Sequence, residues 1–323
     1  MKKTNCKSNS KAKKLVQKTT SKFVLGTMAA AALPFATATA KADESATTNT
    51  VTSVTAQEAP SRVNALVDLG ISSHYLTPRG MDVSRQGVVF QPMVLAFFDL
   101  YKSDDFINDV SLVGGFWNCF GTHQLPSTQG YPNSQTGWYE TDPIAGVSVG
   151  FAKHFKLSVT YTDFSMQIEN IPFSQNLETK LTFDDSDYLK AFALHPYFLF
   201  WDELSGKAVA STDVNPSSSY YFDAGIAPGY TFKDFYNLKI EAPCRILMAP
   251  SAFYGSAAGP TPFVSLYEFG LKASVPLDFM PAGYGHWSAA VGFKRMGFDN
   301  PNLRATQGEA GSTVVYGDIS TFF

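Results

Sequence analysis

Gly146-Val147-Ser148-Val149-Gly150 matches G-x-S-x-G, a spacing that presents a serine nucleophile when the serine tops a sharp strand-to-helix turn. Here Val147, Val149 and Phe151 alternate with Ser148, Gly150 and Ala152. After Lys153-His154 the alternation resumes with Phe155, Leu157, Val159 and Tyr161. That pattern predicts two strands and a tight turn, which puts Ser148 in mid-strand and removes the nucleophile. His74, His123, His154, His195 and His286 read as wall, turn or loop residues, and H-E-x-x-H, the P-loop and C-x-x-C are absent. Asp184, Asp185 and Asp187 could face a calcium ion, but a calcium loop's ligand spacing is missing, so they read as solvated turn carboxylates. No metal and no cofactor is expected. Cys119 and Cys244 fall on separate strands, which leaves a disulfide open.

What remains is a set of charges at regular positions. Arg62, Lys156, Lys180, Lys239, Arg245, Lys272 and Lys294 stand against Asp68, Asp99, Glu140, Asp142, Glu178, Asp184, Asp223, Glu241, Glu268 and Asp318. All lie opposite an apolar face. Leu238, Ile240, Ala242, Cys244 and Ile246 alternate with Lys239, Glu241 and Arg245, as side chains on a strand must. Similar alternation marks strands near 62–76, 88–101, 109–120, 138–152, 155–168, 177–184, 192–204, 220–232, 238–246, 263–275, 286–294 and 312–323. The run over 192–204, F-A-L-H-P-Y-F-L-F-W, is apolar on both faces.

The count is about twelve, and even. Connections alternate between short turns (102–108, 153–154, 185–191, 233–237, 277–285) and long Gly/Pro/Ser/Asn-rich loops (77–87, 121–137, 169–176, 205–218, 249–262, 298–312). Both ends of the strand array fall on the short side. This predicts an all-β chain, a transmembrane antiparallel up-and-down barrel whose charges line the lumen. A soluble sandwich shows the same alternation. The barrel is preferred because Tyr75, Trp138, Tyr139, Phe155, Tyr220, Phe232 and Trp287 cluster at strand ends, as aromatic girdles do. The chain also ends on a strand closing in Phe323, which looks like the assembly signal of bacterial outer-membrane proteins, although Thr321 departs from that pattern.

Residues 1–42 read as a signal peptide: a lysine-rich start, an apolar core over Phe23 to Ala38, and a small-residue site at Ala40-Lys41-Ala42. Residues 43–61 read as a flexible Thr/Ser-rich leader, and 62–323 as the barrel. Loss of the signal leaves 16 Lys and Arg against 28 Asp and Glu, about −12, which excludes nucleic acid as a partner.

Y-L-T-P-R-G-M (75–81), W-Y-E-T-D-P-I-A-G-V-S-V-G-F (138–151) and L-T-F-D-D-S-D-Y-L (181–189) resemble the TorF-like porin family of Gram-negative bacteria. The resemblance covers residues 62–323. It implies an outer-membrane location, partners in membrane lipid and the barrel assembly machinery, and passage of solutes; it transfers no catalytic residue. The expectation is a narrow channel for small polar solutes, mildly cation-preferring from its acid excess, and not an enzyme. The rival is a non-conducting structural or adhesive barrel. An outer-membrane lipid hydrolase ranks lower, because such enzymes carry an H-x-S-N-G run that this chain lacks.

Overall fold

The computed structural model describes residues 62–123, 137–167, 174–205, 219–255 and 262–323. The expected signal peptide and leader lie outside them, as do parts of four loops. The described residues contain twelve antiparallel wall strands: β1 (Val63–Ser72), β2 (Val89–Lys102), β3 (Ile107–Gly121), β4 (Trp138–Phe151), β5 (Phe155–Met166) and β6 (Ser174–Phe183). Then come β7 (Tyr197–Ser205), β8 (Tyr220–Ile226 with Gly229–Phe232), β9 (Leu238–Glu241 with Cys244–Met248), β10 (Val264–Pro276), β11 (His286–Phe298) and β12 (Gly311–Phe322). Each pairs with its neighbour in sequence, and β12 returns to β1 from Leu66↔Phe322 to Ser72↔Tyr316. The barrel is closed. Closure satisfies the edge hydrogen bonds that an open sheet would expose.

β8 and β9 are each interrupted by an Ala-Pro pair, Ala227-Pro228 and Ala242-Pro243, because proline has no N–H to give the ladder. Register survives the gap, with Phe222 opposite Met248 and Gly229 opposite Glu241, so each is one strand.

Period two sorts the wall as expected. Phe90, Val94, Phe98, Leu112, Phe116, Leu157, Ile246, Leu271, Val291 and Ile319 are exposed on the outside. Gln91, Asp142, Ser148, Lys180, Asp223, Arg245, Lys294 and Asp318 are buried inside. A soluble sandwich has the opposite polarity, with its charges outside.

Three expectations need correction. The first strand stops at Ser72; Tyr75–Leu76 leaves the wall and pairs with Asp82–Ser84 in a small hairpin buried in the lumen. Tyr75 and Tyr139 are therefore interior groups, whereas Trp138, Tyr220 and Phe232 stay exposed. The turn after β6 spans 184–196 and carries the one-turn helix α1 (Ser186–Leu189). The Asp185 carboxylate organises it, accepting from the N–H groups of Leu194 and His195, each at 2.9 Å at its nearest oxygen. Finally, the loop before β12 contains helix α2 (Pro301–Gln307). Asn300 caps it by accepting from Asn302 N and Leu303 N, Pro301 opens it, and Gly308 ends it at φ 70°. These start and stop signals were present in the sequence, but seven residues are too few to show helical periodicity.

Candidate functional site

The lumen is the candidate site, and among the described residues a hairpin packs into its long-loop end. The hairpin's tip is set by Thr77, whose carbonyl accepts from Gly80 N (3.0 Å) and whose N–H donates to Met81 O (2.8 Å). Gly80 has φ +82°, and a Cβ there would press on Leu266, Leu303 and Phe298. Only glycine meets both demands. Leu76 packs with Trp201, Tyr221, Leu247, Phe253, Leu266, Phe298 and Leu303. A second apolar group joins Tyr75 and Val83 to Val89, Cys119 and Tyr139. Cys119 and Cys244 are free thiols, the first buried and the second exposed.

Polar contacts latch the hairpin to the wall. Arg245 donates to Asp223, to Glu268 at 3.1 Å and to the Pro78 carbonyl at 2.7 Å. Tyr254 Oη donates to Arg79 O at 2.7 Å, and Tyr75 Oη donates to Glu140. At the base, His74 Nε2 meets Ser312 Oγ at 3.0 Å and lies 3.7 Å from Asp82. Asp82 N donates to Gln307 Oε1 at 3.0 Å, and Arg85 donates to Gln307 as well. Burial lifts the Asp82 carboxyl to about 6 and pushes His74 down to about 4, where Lys294 and Arg85 add their repulsion.

The expected lumen charges divide into groups. Arg245, Asp223 and Glu268 form one buried cluster, with Tyr197 donating to Asp223 at 2.7 Å and Lys180 Nζ 4.4 Å from the Tyr197 ring centre. Glu178 lies within Coulombic range of Lys180, and Lys294 within range of Glu268. Glu140 and Asp142 form a second group facing the hairpin, with Arg79 nearby. Lys272 Nζ stands 3.3 Å from Asp318 Oδ2, and Asp68 is the third member of that group. Lys239 pairs with Glu241 at 2.7 Å, Asp99 with Lys102 at 2.5 Å at the short-turn rim, and Arg62 is exposed. Lys156 lines a cavity of about 20 Å³ with Ser148, Ser158 and Thr160, room for a water-sized particle. Ser148 Oγ is hydrogen-bonded to Ser111 Oγ at 2.8 Å within the wall.

Sequence reasoning missed Arg79, Tyr254 and the hairpin, because period two reads strands and these residues lie in loops. One signal was available: Leu199, Trp201, Tyr221, Leu247, Leu266 and Met296 are apolar at inward positions, so something apolar had to fill that half of the lumen.

At the short-turn side, Asp184, Asp185 and His195 bring their ligand atoms within 4.8 Å of one another. Asp185 is engaged by the turn's backbone, and hydrogen bonds from Ser186 hold Asp184 below the usual carboxylate range. Asp187 sits apart from that group, in the first turn of α1. Phe323 pairs with Ala65 through two backbone hydrogen bonds at the seam.

No family model and no curated protein matches the chain. Among solved structures, a porin refined at 1.8 Å matches with 11% identity over 81% of this chain and 99% of that chain, at a TM-score of 0.27. So small an overlap carries no argument, and the barrel rests on its own strand pairing.

Proposed function

We propose that the chain is an outer-membrane barrel acting as a narrow, porin-like channel for small polar solutes, constricted by the hairpin at 75–84. The observation that carries this is the inverted polarity: large apolar side chains are exposed around the outside while charges are buried within. Such a surface suits lipid, and charges are tolerated only in a watery or paired interior. The signal-like pattern of residues 1–42 and the TorF-like resemblance support the same location. The inward charges include more carboxylates than cations, which favours a mild preference for cations.

The apolar packing around Leu76 and Phe253 favours a second reading, a barrel that does not conduct. The hydrolase reading still lacks its H-x-S-N-G run; His74 Nδ1 meets the adjacent Ser73 Oγ at 3.0 Å, and Nε2 meets Ser312 Oγ at 3.0 Å and lies 3.7 Å from Asp82 at the hairpin base. Planar-bilayer recording of the refolded mature chain separates the first two. Small, cation-preferring steps are expected, with larger steps once residues 75–84 are replaced by a flexible linker. Silence from both proteins would leave the structural reading.

A further inference from the structure

The hairpin inserts its own cation into the wall. Arg79 is 5% exposed; its Cζ lies 4.7 Å from the ring centre of Phe164 and 5.1 Å from that of Trp201. Glu140, Asp142 and Glu178 act on it through Coulombic range. Among the described residues no ion pair closes on the guanidinium, and Nε has no hydrogen-bond partner. Two ring faces and a field of three inward carboxylates therefore hold the charge, with no directed salt bridge. Ring faces attract any cation through their quadrupole, and carboxylates supply charge without dictating shape. Phe164 stands on β5, Trp201 on β7, Glu178 on β6 and Glu140 and Asp142 on β4, all inward, so the lining of the receptacle comes from the wall and not from the hairpin.

We propose that this aromatic and acidic cleft is a recognition site for organic cations bearing a guanidinium or ammonium group, and that Arg79 occupies it as a tethered surrogate. The hairpin is then both plug and competing ligand: a solute cation of the same chemistry displaces Arg79 and loosens the plug. This deepens the channel reading by naming a solute class and rests on it, but binding can be read without conduction.

The test uses the refolded mature chain in detergent micelles with agmatine as the probe. With Arg79→Ala, agmatine should raise the thermal unfolding temperature in proportion to its mass action and quench tryptophan fluorescence. The wild type, its cleft filled, should not respond, and neutral butylurea should do nothing to either protein. Adding Trp201→Leu or Glu178→Gln to Arg79→Ala should weaken agmatine at least about tenfold, the scale of one desolvated cation–π contact. If Arg79→Ala does not refold alone, refolding restored by agmatine supports the site, and refolding not restored by it counts against the site. No shift in Arg79→Ala, an equal shift in the wild type, or indifference to Trp201 and Glu178 overturns the proposal. A silent bilayer beside positive agmatine binding would sink the channel and leave the cleft standing.

Discussion

Arg245→Ala is the most informative single change. The guanidinium is nearly buried and joins three partners: Asp223, Glu268 at 3.1 Å and the Pro78 carbonyl at 2.7 Å. Its loss strands two carboxylates whose side chains are 4% and 9% exposed. Breaking a buried ion pair from one side costs roughly 3–5 kcal/mol, because the remaining charge keeps its desolvation penalty. Lys180 and Lys294 act on the same carboxylates, so the lower end applies. About 3 kcal/mol is expected, more than a hundredfold in the folding equilibrium. Urea unfolding of the barrel in phospholipid vesicles, followed by tryptophan fluorescence, reads it. A neutral triad, Arg245→Met with Asp223→Asn and Glu268→Gln, should recover most of the loss. Freed from Pro78, the hairpin should also loosen, and any conductance should rise. A single variant within about 1 kcal/mol of wild type, or a triple variant no better than the single, would refute the latch.

Other changes probe the wall and the hairpin base. Val291, exposed at the middle of β11, should cost about 2–4 kcal/mol as Val291→Arg in vesicles, if its face meets lipid near the midplane. Glu241→Arg, on an inward position, should alter ion selectivity far more than stability; equal destabilisation would mean the faces are misassigned. Cys244 should react in vesicles with an apolar maleimide and resist a charged one, with Cys119 silent to both; rapid charged labelling would place that face in water. The pair at the hairpin base should show opposed pH limbs. Asp82, folded at about 6 against an ordinary 3.8, supports the fold when protonated and loses that support as pH rises from about 4 to 6. His74, folded at about 4 against 6.5, supports the fold when neutral and loses that support as pH falls from about 6.5 to 4. The two nearly cancel in the wild type. Relative to it, Asp82→Asn should make stability fall on acidification over that window, and His74→Gln should make it rise; parallel behaviour of the two variants would disprove the assignment.

Period two located twelve strands and the faces of eleven, because each wall side chain has one environment on each side. It faltered over 192–204 for a physical reason. Phe198 and Phe200 look outward, while Leu199 and Trp201 meet Leu76 and Phe253, so both faces are apolar. The charges were legible as inward, but their partners were not. Nothing in the order of residues says that Arg245 reaches Pro78 or that Lys272 reaches Asp318, since those meetings depend on closure across the lumen. The hairpin was hidden because its Leu76, Met81 and Val83 show no period, and its turn residues looked like those of a surface loop.

The plug comes from the first connection of the chain, yet four of its fastenings come from the last third. Pro78 and Arg245 are separated by 167 residues, Arg79 and Tyr254 by 175, Asp82 and Gln307 by 225, and His74 and Ser312 by 238. Such long-separated contacts form late, after most loop-closure entropy has been lost. The hairpin must therefore wait, unlatched, while the wall grows strand by strand, and must already be inside when β12 meets β1. Closing the seam and seating the plug become one terminal event. A chain truncated before Arg245 keeps the contacts of Tyr75 with Glu140 and of Arg79 with Phe164 and Trp201 but loses these four latches, so full seating of the plug depends on the strands made last.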